Sequence, residues 1–214
     1  MNLTLHYAIP STYSQKVLLA FYEKGIAFTP ALVNPFDPEQ IAAYRKLYPL
    51  GKIPLLTGDD LFIPESTIII EFLENEFPDW GTKLIPDDKT AARRVRFKDR
   101  IHDLYLNNPI STIFFDSLRP PEKRNPDAVA KAHETLDIVY GFMDAFYGNN
   151  PNAGGREFNM SDCAAFPPLF YAQKLHPFSE RKNIQAYFGR VMERPSVQKL
   201  LKDVLPAIER FNNK

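Results

Sequence analysis

The sequence contains a single cysteine, Cys163, among 214 residues. One cysteine cannot form an intrachain disulfide, and it cannot build a cysteine-based metal cluster. The histidines are also few, and they lie far apart along the chain without the spacing of metal ligands: His6, His102, His133 and His176. We therefore expect no metal site. Cys163 falls in an apolar helical segment, where a buried and unreactive thiol is expected.

Neither sign of charge dominates, because 26 Lys and Arg residues balance 26 Asp and Glu residues. A balanced chain has no overall field that would attract nucleic acid. The basic stretch AARRVRFKDR fits the exposed face of a helix. No run of apolar residues is long enough to span a membrane, and the opening MNLTLHYAIP lacks the regions of a signal peptide. The composition predicts a soluble, cytoplasmic protein with neither a nucleic-acid nor a membrane partner.

Several catalytic signatures are absent as well. The chain has no P-loop, no G-x-G-x-x-G fingerprint and no G-x-S-x-G nucleophile elbow. Ser11 has no identifiable His–Asp pair to activate it, so we do not expect a serine nucleophile. His102 lies in a long helical pattern and could line a pocket, but a structural role is the simpler interpretation.

The first 80 residues alternate strand and helix patterns in the order β-α-β-α-β-β-α. One helical pattern ends at Gly25, which is a favourable residue for a helix C-cap. Short strands flank the turn residues GDD, and the isoleucine-rich segment after them is bounded by glutamates that favour a helix. The predicted strands are 2–8, 26–33, 53–57 and 61–63, and the predicted helices are 14–24, 38–47 and 65–77.

From residue 89 onward the patterns are helical only. Asn125 followed by Pro126 is typical of a helix start, and Asn159 with Asp162 three residues later is typical of a capping box. The predicted helices are 89–117 with a possible kink at Pro109, 126–147, 160–173, 180–193 and 196–211. The fold class is therefore α/β plus all-α, with one domain over residues 1–80 and an all-helical domain over residues 89–214.

The stretch PSTYSQKV places two hydroxyls, Ser11 and Ser14, where a strand passes into a helix. Thiol-handling proteins carry a C-x-x-C pair at such a place. Cysteine at residue 11 would attack disulfides, so the serines argue against redox chemistry. They raise the question of whose thiol this site would serve.

Two further stretches have the character of a ligand site. In GKIPLL, Pro54 opens a strand, which is typical of an edge strand or of a special turn. A cis Ile53–Pro54 bond would leave the Ile53 backbone free to pair with an extended ligand. In PESTIII, Glu65 and Ser66 stand at a helix start and could receive the ammonium and carboxylate of a ligand. An ordinary edge proline and an ordinary helix cap are the alternatives.

Together, these stretches resemble the cytosolic glutathione transferases in order and spacing. PSTYSQKVLLAFYEKGI, YPLGKIPLL and PESTIIIEFLENEF resemble the thioredoxin-like N-terminal domain of that family. GREFNMSDCAAF and YFGRVMERPSVQKLL resemble the capping-box region and the closing segment of its helical domain. The resemblance is to the serine-type members, theta-, phi- and zeta-like, of bacterial style. It implies a thioredoxin-like domain, glutathione as co-substrate, no metal, a small electrophile as the second substrate, a homodimer, and a role in detoxification.

The same resemblance implies roles for individual residues. Ser11 matches the catalytic serine, whose hydroxyl would donate to the glutathione sulfur and favour its thiolate. The residues that would bind glutathione are Lys52, Ile53, Pro54, Glu65, Ser66 and Tyr13. The electrophile pocket would come from the helical domain, with Tyr105, Phe114 and Phe115 as its candidate residues.

The chain departs from the family pattern at several positions. Tyr48 replaces the asparagine that many members carry before the proline of this region. Tyr13 and Tyr7 are alternatives to Ser11 as the group that activates the thiol. A glutathione-dependent isomerase or dehalogenase would use the same site, and a non-catalytic, transferase-like regulatory or binding protein is a further alternative.

Overall fold

A computed structural model describes residues 1–212 of the chain. Its contacts divide the chain into two compact units: residues 1–84 with the last helix form the first, and residues 85–194 form the second. Within the described range, no helix combines the length and the apolar character needed to cross a membrane.

The first unit has the predicted element order β-α-β-α-β-β-α. Its elements are β1 Thr4–Tyr7, α1 Thr12–Lys24, β2 Thr29–Leu32, α2 Pro38–Leu47, β3 Leu55–Thr57, β4 Phe62–Pro64 and α3 Ser66–Glu76. The sheet has the strand order β2-β1-β3-β4, with β1 and β2 parallel and the other pairs antiparallel. This is the thioredoxin-like arrangement expected from the sequence. Gly25 ends α1 in the left-handed conformation with φ 67°, as predicted.

Strand register brings three chain segments to one edge of the sheet. His6, near the end of β1, pairs with Leu55 at the start of β3, and Leu55 pairs with Pro64 at the end of β4. The loop into α1, the loop before β3 and the start of α3 therefore leave the sheet at the same edge. Register alone places the three predicted ligand stretches side by side.

The core of the first unit lies between the sheet and helices α1 and α3. Its fully buried apolar side chains include Leu5, Val17, Leu19, Leu55, Leu56, Ile69, Ile70 and Leu73. A buried ion pair also joins the two helices, with Lys24 Nζ 3.0 Å from Glu74 Oε2. The same carboxylate oxygen accepts from the Leu84 backbone N–H at 2.9 Å, so the charged pair also has a backbone hydrogen bond.

The second unit is helical. Its α-helices are α4 Lys89–Ile101, α5 Asn108–Ser117, α6 Pro126–Tyr147, α7 Met160–Leu175 and α8 Lys182–Met192. Asn125 caps α6 through its side chain, and Pro126 opens that helix, as predicted.

The single helix predicted over residues 89–117 is wrong in its interior. The turns from His102 to Asn107 are π-helical and separate α4 from α5. Pro109 follows directly and lacks the N–H that would bond to the carbonyl four residues earlier. A wider turn relieves the clash between the proline ring and that carbonyl, and such π-helical insertions within α-helices are a known response.

The last helix, α9 Pro195–Asn212, differs from the sequence-based division of the chain. The sequence assigns it to the helical domain over residues 89–214, but its contacts place it in the first unit, against α1. The Ser196 hydroxyl donates to the Glu23 carboxylate, and Lys199 Nζ lies 4.1 Å from the centre of the Tyr22 ring. These contacts join residues far apart in the chain, so local sequence patterns cannot predict them.

The predicted capping box at α7 is confirmed. The Asn159 side chain accepts from the Ser161 N–H at 3.0 Å, and the Asp162 carboxylate accepts from the Asn159 N–H at 2.9 Å. Asp162 is fully buried and also accepts from the Ala153 N–H at 2.7 Å and from the Tyr187 hydroxyl at 3.1 Å. Burial raises the pKa of Asp162 from 3.8 to about 7.

Candidate active site

Ser11 is the N-cap residue of α1 and stands at the shared sheet edge. Its Oγ accepts from the Ser14 N–H at 3.3 Å. A hydroxyl has one hydrogen to donate, so this bond leaves the O–H of Ser11 available to a ligand. Ser11 is partly exposed, and the N–H groups of the first turn of α1 add a positive field beside it.

Ser14 has a different part in the same turn. It is fully buried, and its Oγ accepts from the Ala8 N–H at 3.3 Å. Gln15, also buried, donates from Nε2 to the Ile9 carbonyl at 2.9 Å. Ser14 and Gln15 therefore hold the loop that precedes α1, whereas Ser11 is partly exposed. Of the two hydroxyls that the sequence presents, only one is positioned to meet a ligand.

The predicted cis bond between Ile53 and Pro54 is confirmed. The Ile53 side chain packs against the buried cluster of Val33, Tyr44, Tyr48 and Leu55. Within the described part of the chain, the Ile53 backbone has no hydrogen-bond partner. The exposed Lys52 precedes Ile53, and the Lys52 carbonyl accepts from the Tyr44 hydroxyl at 2.7 Å. The loop is thus fixed on its inner side and keeps a free backbone donor and acceptor.

Glu65 lies between β4 and α3 with a backbone that is unusual for a residue with a Cβ. Its φ is 70° and its ψ is 122°, and its exposed side chain does not cap the helix it precedes. A non-glycine residue with such a φ costs of the order of 1–3 kcal/mol, and such residues concentrate at functional sites. Ser66, which is 5% exposed, opens α3 beside it. The helix start thus carries a carboxylate and a hydroxyl.

Lys16 is a site neighbour that the sequence analysis missed. It is 2% exposed, and its Nζ donates to Thr67 Oγ1 at 2.9 Å. This bond joins the second turn of α1 to the first turn of α3, and so holds together the two helix starts that face the site. A lysine inside the otherwise apolar face of α1 was the available signal.

The two tyrosine alternatives remain near the same edge. Tyr7 is the last residue of β1, and its ring centre lies 6.3 Å from that of Phe28. Burial and the nearby Asp203 raise the pKa of Tyr7, so its phenol stays protonated at neutral pH. Tyr13 lies in the first turn of α1 and is partly exposed.

The three candidate electrophile residues are all in the second unit. Tyr105 lies in the π-helical turns and is 51% exposed. Phe114 and Phe115 are neighbours in α5, with ring centres 5.3 Å apart. A cavity of about 410 Å³ beside α5 and α6 is lined by Phe115 together with polar side chains, and neither Tyr105 nor Phe114 contributes to that lining.

Comparison with known proteins matches both units to one family. The N-terminal domain of glutathione S-transferases matches residues 5–81, and the C-terminal domain of the same family matches residues 106–195. Glutathione S-transferase 3 of Zea mays is 30% identical over 196 residues, which cover 86% of each chain. The chain belongs to the glutathione S-transferase family.

Two further relatives show how far the similarity extends. Protein LigF of Sphingobium sp. is 36% identical over 114 residues, covering 53% of this chain and 44% of LigF. The crystal structure of poplar glutathione transferase F1 superposes with a TM-score of 0.86 at 20% identity, covering 96% of this chain and 99% of that one. The beta-etherase LigF structure gives a TM-score of 0.82 at 20% identity, covering 94% and 99%. These two superpositions establish the glutathione transferase fold.

Proposed function

We propose that the chain is a glutathione transferase: it binds glutathione at the sheet edge of its first unit and directs the glutathione sulfur at a small electrophile. One observation carries the proposal. The partly exposed Ser11, the unpaired Ile53 backbone and the Glu65–Ser66 helix start lie at one edge of the sheet. At this edge, Glu65 and Ser66 can bind the charged groups at one end of an extended tripeptide, and Lys52 can bind a carboxylate at the other end.

Glutathione would lie across this edge as an additional strand. The Ile53 N–H and C=O, next to Pro54, would pair with its cysteinyl backbone, as a peptide adds to a free edge. Glu65 would receive the γ-glutamyl ammonium, while the Ser66 hydroxyl and the N-terminus of α3 would receive the carboxylate. Lys52 and Tyr13 would contact the remainder of the ligand.

Ser11 would activate the bound thiol without losing its own proton. A free thiol has a pKa of about 8.5, so only a few per cent is thiolate at neutral pH. Lowering that pKa by about two units requires roughly 2.7 kcal/mol of preferential anion stabilisation. A hydroxyl donor combined with a helix N-terminus can supply it. The thiolate then forms a bond to carbon. With an aryl halide the carbon–halogen bond breaks and the halide leaves with its electron pair; with an epoxide a carbon–oxygen bond breaks and the oxygen takes up a proton.

A second candidate function is glutathione-dependent ether cleavage. The LigF relative, whose structure is described as a beta-etherase, is 36% identical to this chain over the aligned half. In this reaction the glutathione sulfur attacks the carbon that carries the aryl ether, and the phenolate leaves. Glutathione-dependent isomerisation or dehalogenation would start from the same thiolate.

We also propose that the protein acts as a homodimer in the cytoplasm and contributes to detoxification. Several large apolar side chains of the first unit are about half exposed, among them Phe62, Ile68 and Trp80. A second subunit would cover them. Sedimentation of the purified chain tests the dimer, and cell fractionation tests the compartment.

Glutathione binding and turnover should be measured separately. Calorimetry with glutathione should show saturable binding that weakens at least tenfold in Glu65→Gln and is unchanged in Glu76→Gln, a control at the other end of α3. Turnover should then be followed with an activated aryl halide, an epoxide and a β-aryl ether. Turnover of the aryl halide or epoxide supports the transferase, and ether cleavage alone supports the second candidate. Binding without any turnover makes the chain a glutathione-binding protein, and no binding overturns the proposal.

A further inference from the structure

The second unit contains a cluster of ionisable side chains that the proposed transferase chemistry does not use. His133 and Asp137 lie one turn apart on α6, and His176 follows the end of α7. Nδ1 of His133 is 2.7 Å from Nδ1 of His176, and Nε2 of His176 is 3.1 Å from Asp137 Oδ1. The Tyr140 hydroxyl holds the His176 backbone in place by donating to its carbonyl at 2.9 Å.

The protons of this cluster can be assigned from the distances. Nε2 of His176 donates its hydrogen to the Asp137 carboxylate. Nδ1 of neutral His176 therefore carries a lone pair, and it accepts the hydrogen on Nδ1 of His133. Two ring nitrogens 2.7 Å apart cannot both carry hydrogen. A single hydrogen thus lies between Nδ1 of His133 and Nδ1 of His176.

The groups around these two rings resemble those around a metal-bound histidine. Neutral imidazole is the form that ligates metals. A carboxylate that accepts from the far nitrogen of a histidine orients the ring and raises its basicity, which is the usual outer shell of a metal-bound histidine. The Asp137 carboxylate accepts from Nε2 of His176 in this way.

We propose that a divalent transition-metal ion of the zinc or copper type binds between Nδ1 of His133 and Nδ1 of His176. When the ion binds, Nδ1 of His133 gives up its hydrogen and Nε2 of the same ring takes one up from solvent, so the ring binds as neutral imidazole and no net proton is released. Within residues 1–212, no three His, Cys, Asp or Glu side chains are grouped so that all three could hold one metal ion. The protein therefore supplies two ligands, and water supplies the others. The His176 and Asp137 side chains are 16% and 66% exposed, so both ion and water have access.

The geometry requires only a small adjustment. Zinc–nitrogen bonds of about 2.0–2.1 Å at a tetrahedral angle place two nitrogens roughly 3.3 Å apart. The two nitrogens must therefore separate by roughly 0.6 Å from their hydrogen-bonded distance of 2.7 Å. Rotation of the imidazole side chains can supply this separation while the Tyr140 hydroxyl and the Ala172 carbonyl hold the His176 backbone.

Calorimetric titration of the full chain with Zn²⁺ in glutathione-free buffer tests the site. We expect one ion per chain and, from buffers of different ionisation enthalpy, release of close to no protons, because the hydrogen that leaves Nδ1 of His133 is replaced by one on Nε2 of the same ring. Asp137→Asn should bind Zn²⁺ about 10–100-fold more weakly, as outer-shell changes do. Asp127→Asn, which removes a charge from the same helix without touching a histidine, should bind as the unaltered protein does. His133→Ala with His176→Ala should abolish the site.

A second measurement needs no variant. Cu²⁺ added in substoichiometric amounts should broaden the ring-proton NMR signals of His133 and His176 before those of His6 and His102. Equal broadening of all four histidines would overturn the proposal. Equal Zn²⁺ affinity of the unaltered protein and the double-histidine variant, or of Asp137→Asn and Asp127→Asn, would also overturn it.

Discussion

The helices α1 and α7 both begin with a polar N-cap residue, but the two helix starts differ in how many hydrogen bonds their capping side chains make. At α7, Asn159 and Asp162 cap each other, and the buried Asp162 carboxylate accepts three hydrogen bonds. At α1, the partly exposed Ser11 makes one side-chain bond of 3.3 Å and keeps its hydroxyl hydrogen free. A saturated, buried cap stabilises the fold, whereas an open cap is available for a ligand.

The same contrast extends beyond the caps. In the second unit, the buried Asp162 carboxylate accepts hydrogen bonds from Ala153, Asn159 and Tyr187. At the sheet edge of the first unit, the Ile53 backbone is unpaired and Glu65 has a strained φ of 70°. We therefore expect changes at α7 to affect stability and changes at the sheet edge to affect binding and turnover.

Asp162→Ala should have the largest effect on stability. Three donors lose their acceptor in a fully buried place, and each unsatisfied buried group costs about 1–3 kcal/mol. We expect the free energy of unfolding in urea to fall by about 3 kcal/mol or more. Glutathione affinity of the remaining folded protein should be unchanged. A matching loss of glutathione affinity would mean that the two regions are not independent.

Asp162 should also make stability depend on pH. Its pKa is 3.8 ordinarily and about 7 in the folded protein. Between these values the folded chain keeps a proton that the unfolded chain loses, so this carboxyl contributes less to stability as pH rises from about 4 to about 7. The difference in free energy of unfolding between the unaltered protein and Asp162→Asn should shrink over that range by up to a few kcal/mol. A difference that is constant with pH would contradict the assignment.

Glu65→Gly should separate stability from function. Glycine removes the cost of the positive φ, about 1–3 kcal/mol, but loses up to about 1 kcal/mol through chain entropy. We expect a gain in stability of about 1 kcal/mol together with a loss of glutathione affinity of at least tenfold. Asp59→Gly, in an exposed turn, is the control, and it should change neither the stability in this way nor the glutathione affinity. If the Glu65→Gly protein is less stable than the unaltered protein, the positive φ of Glu65 does not destabilise the fold.

Ser11→Ala should change stability least. Loss of an exposed N-cap costs about 0.5–2 kcal/mol, and the 3.3 Å bond to the Ser14 N–H places Ser11 at the low end of that range. Thermal denaturation should show a small shift compared with that of Asp162→Ala. A shift of comparable size would make Ser11 a structural cap like its counterpart at α7.

The features that the sequence predicts are those with local causes. Gly25, Asn125 and the pair Asn159–Asp162 act within one helical turn, and the structure has each where the pattern indicates it. The order of strands and helices in the first unit follows from hydrophobic periodicity in the same way. The Ser11, Ile53–Pro54 and Glu65–Ser66 segments could be predicted as candidates because each is a short stretch with its own chemistry.

The features that the sequence does not predict depend on packing between distant segments. The last helix, α9, joins the first unit through contacts with α1. His133 and His176 meet at 2.7 Å although 43 residues separate them. Histidines counted along the sequence look scattered, and only the fold brings two of them together.

Ser11 is the group that we expect to stabilise the glutathione thiolate. The decisive measurement is the ultraviolet absorbance of bound thiolate against pH in the unaltered protein and in Ser11→Ala, with conjugation rates recorded in parallel. In Ser11→Ala we expect nearly unchanged glutathione affinity, a higher thiol pKa, and turnover at neutral pH lower by at least tenfold, or about 1.4 kcal/mol, partly restored at higher pH. Identical thiolate titration and turnover in the two proteins would contradict this assignment and make Tyr13 or Tyr7 the next candidate.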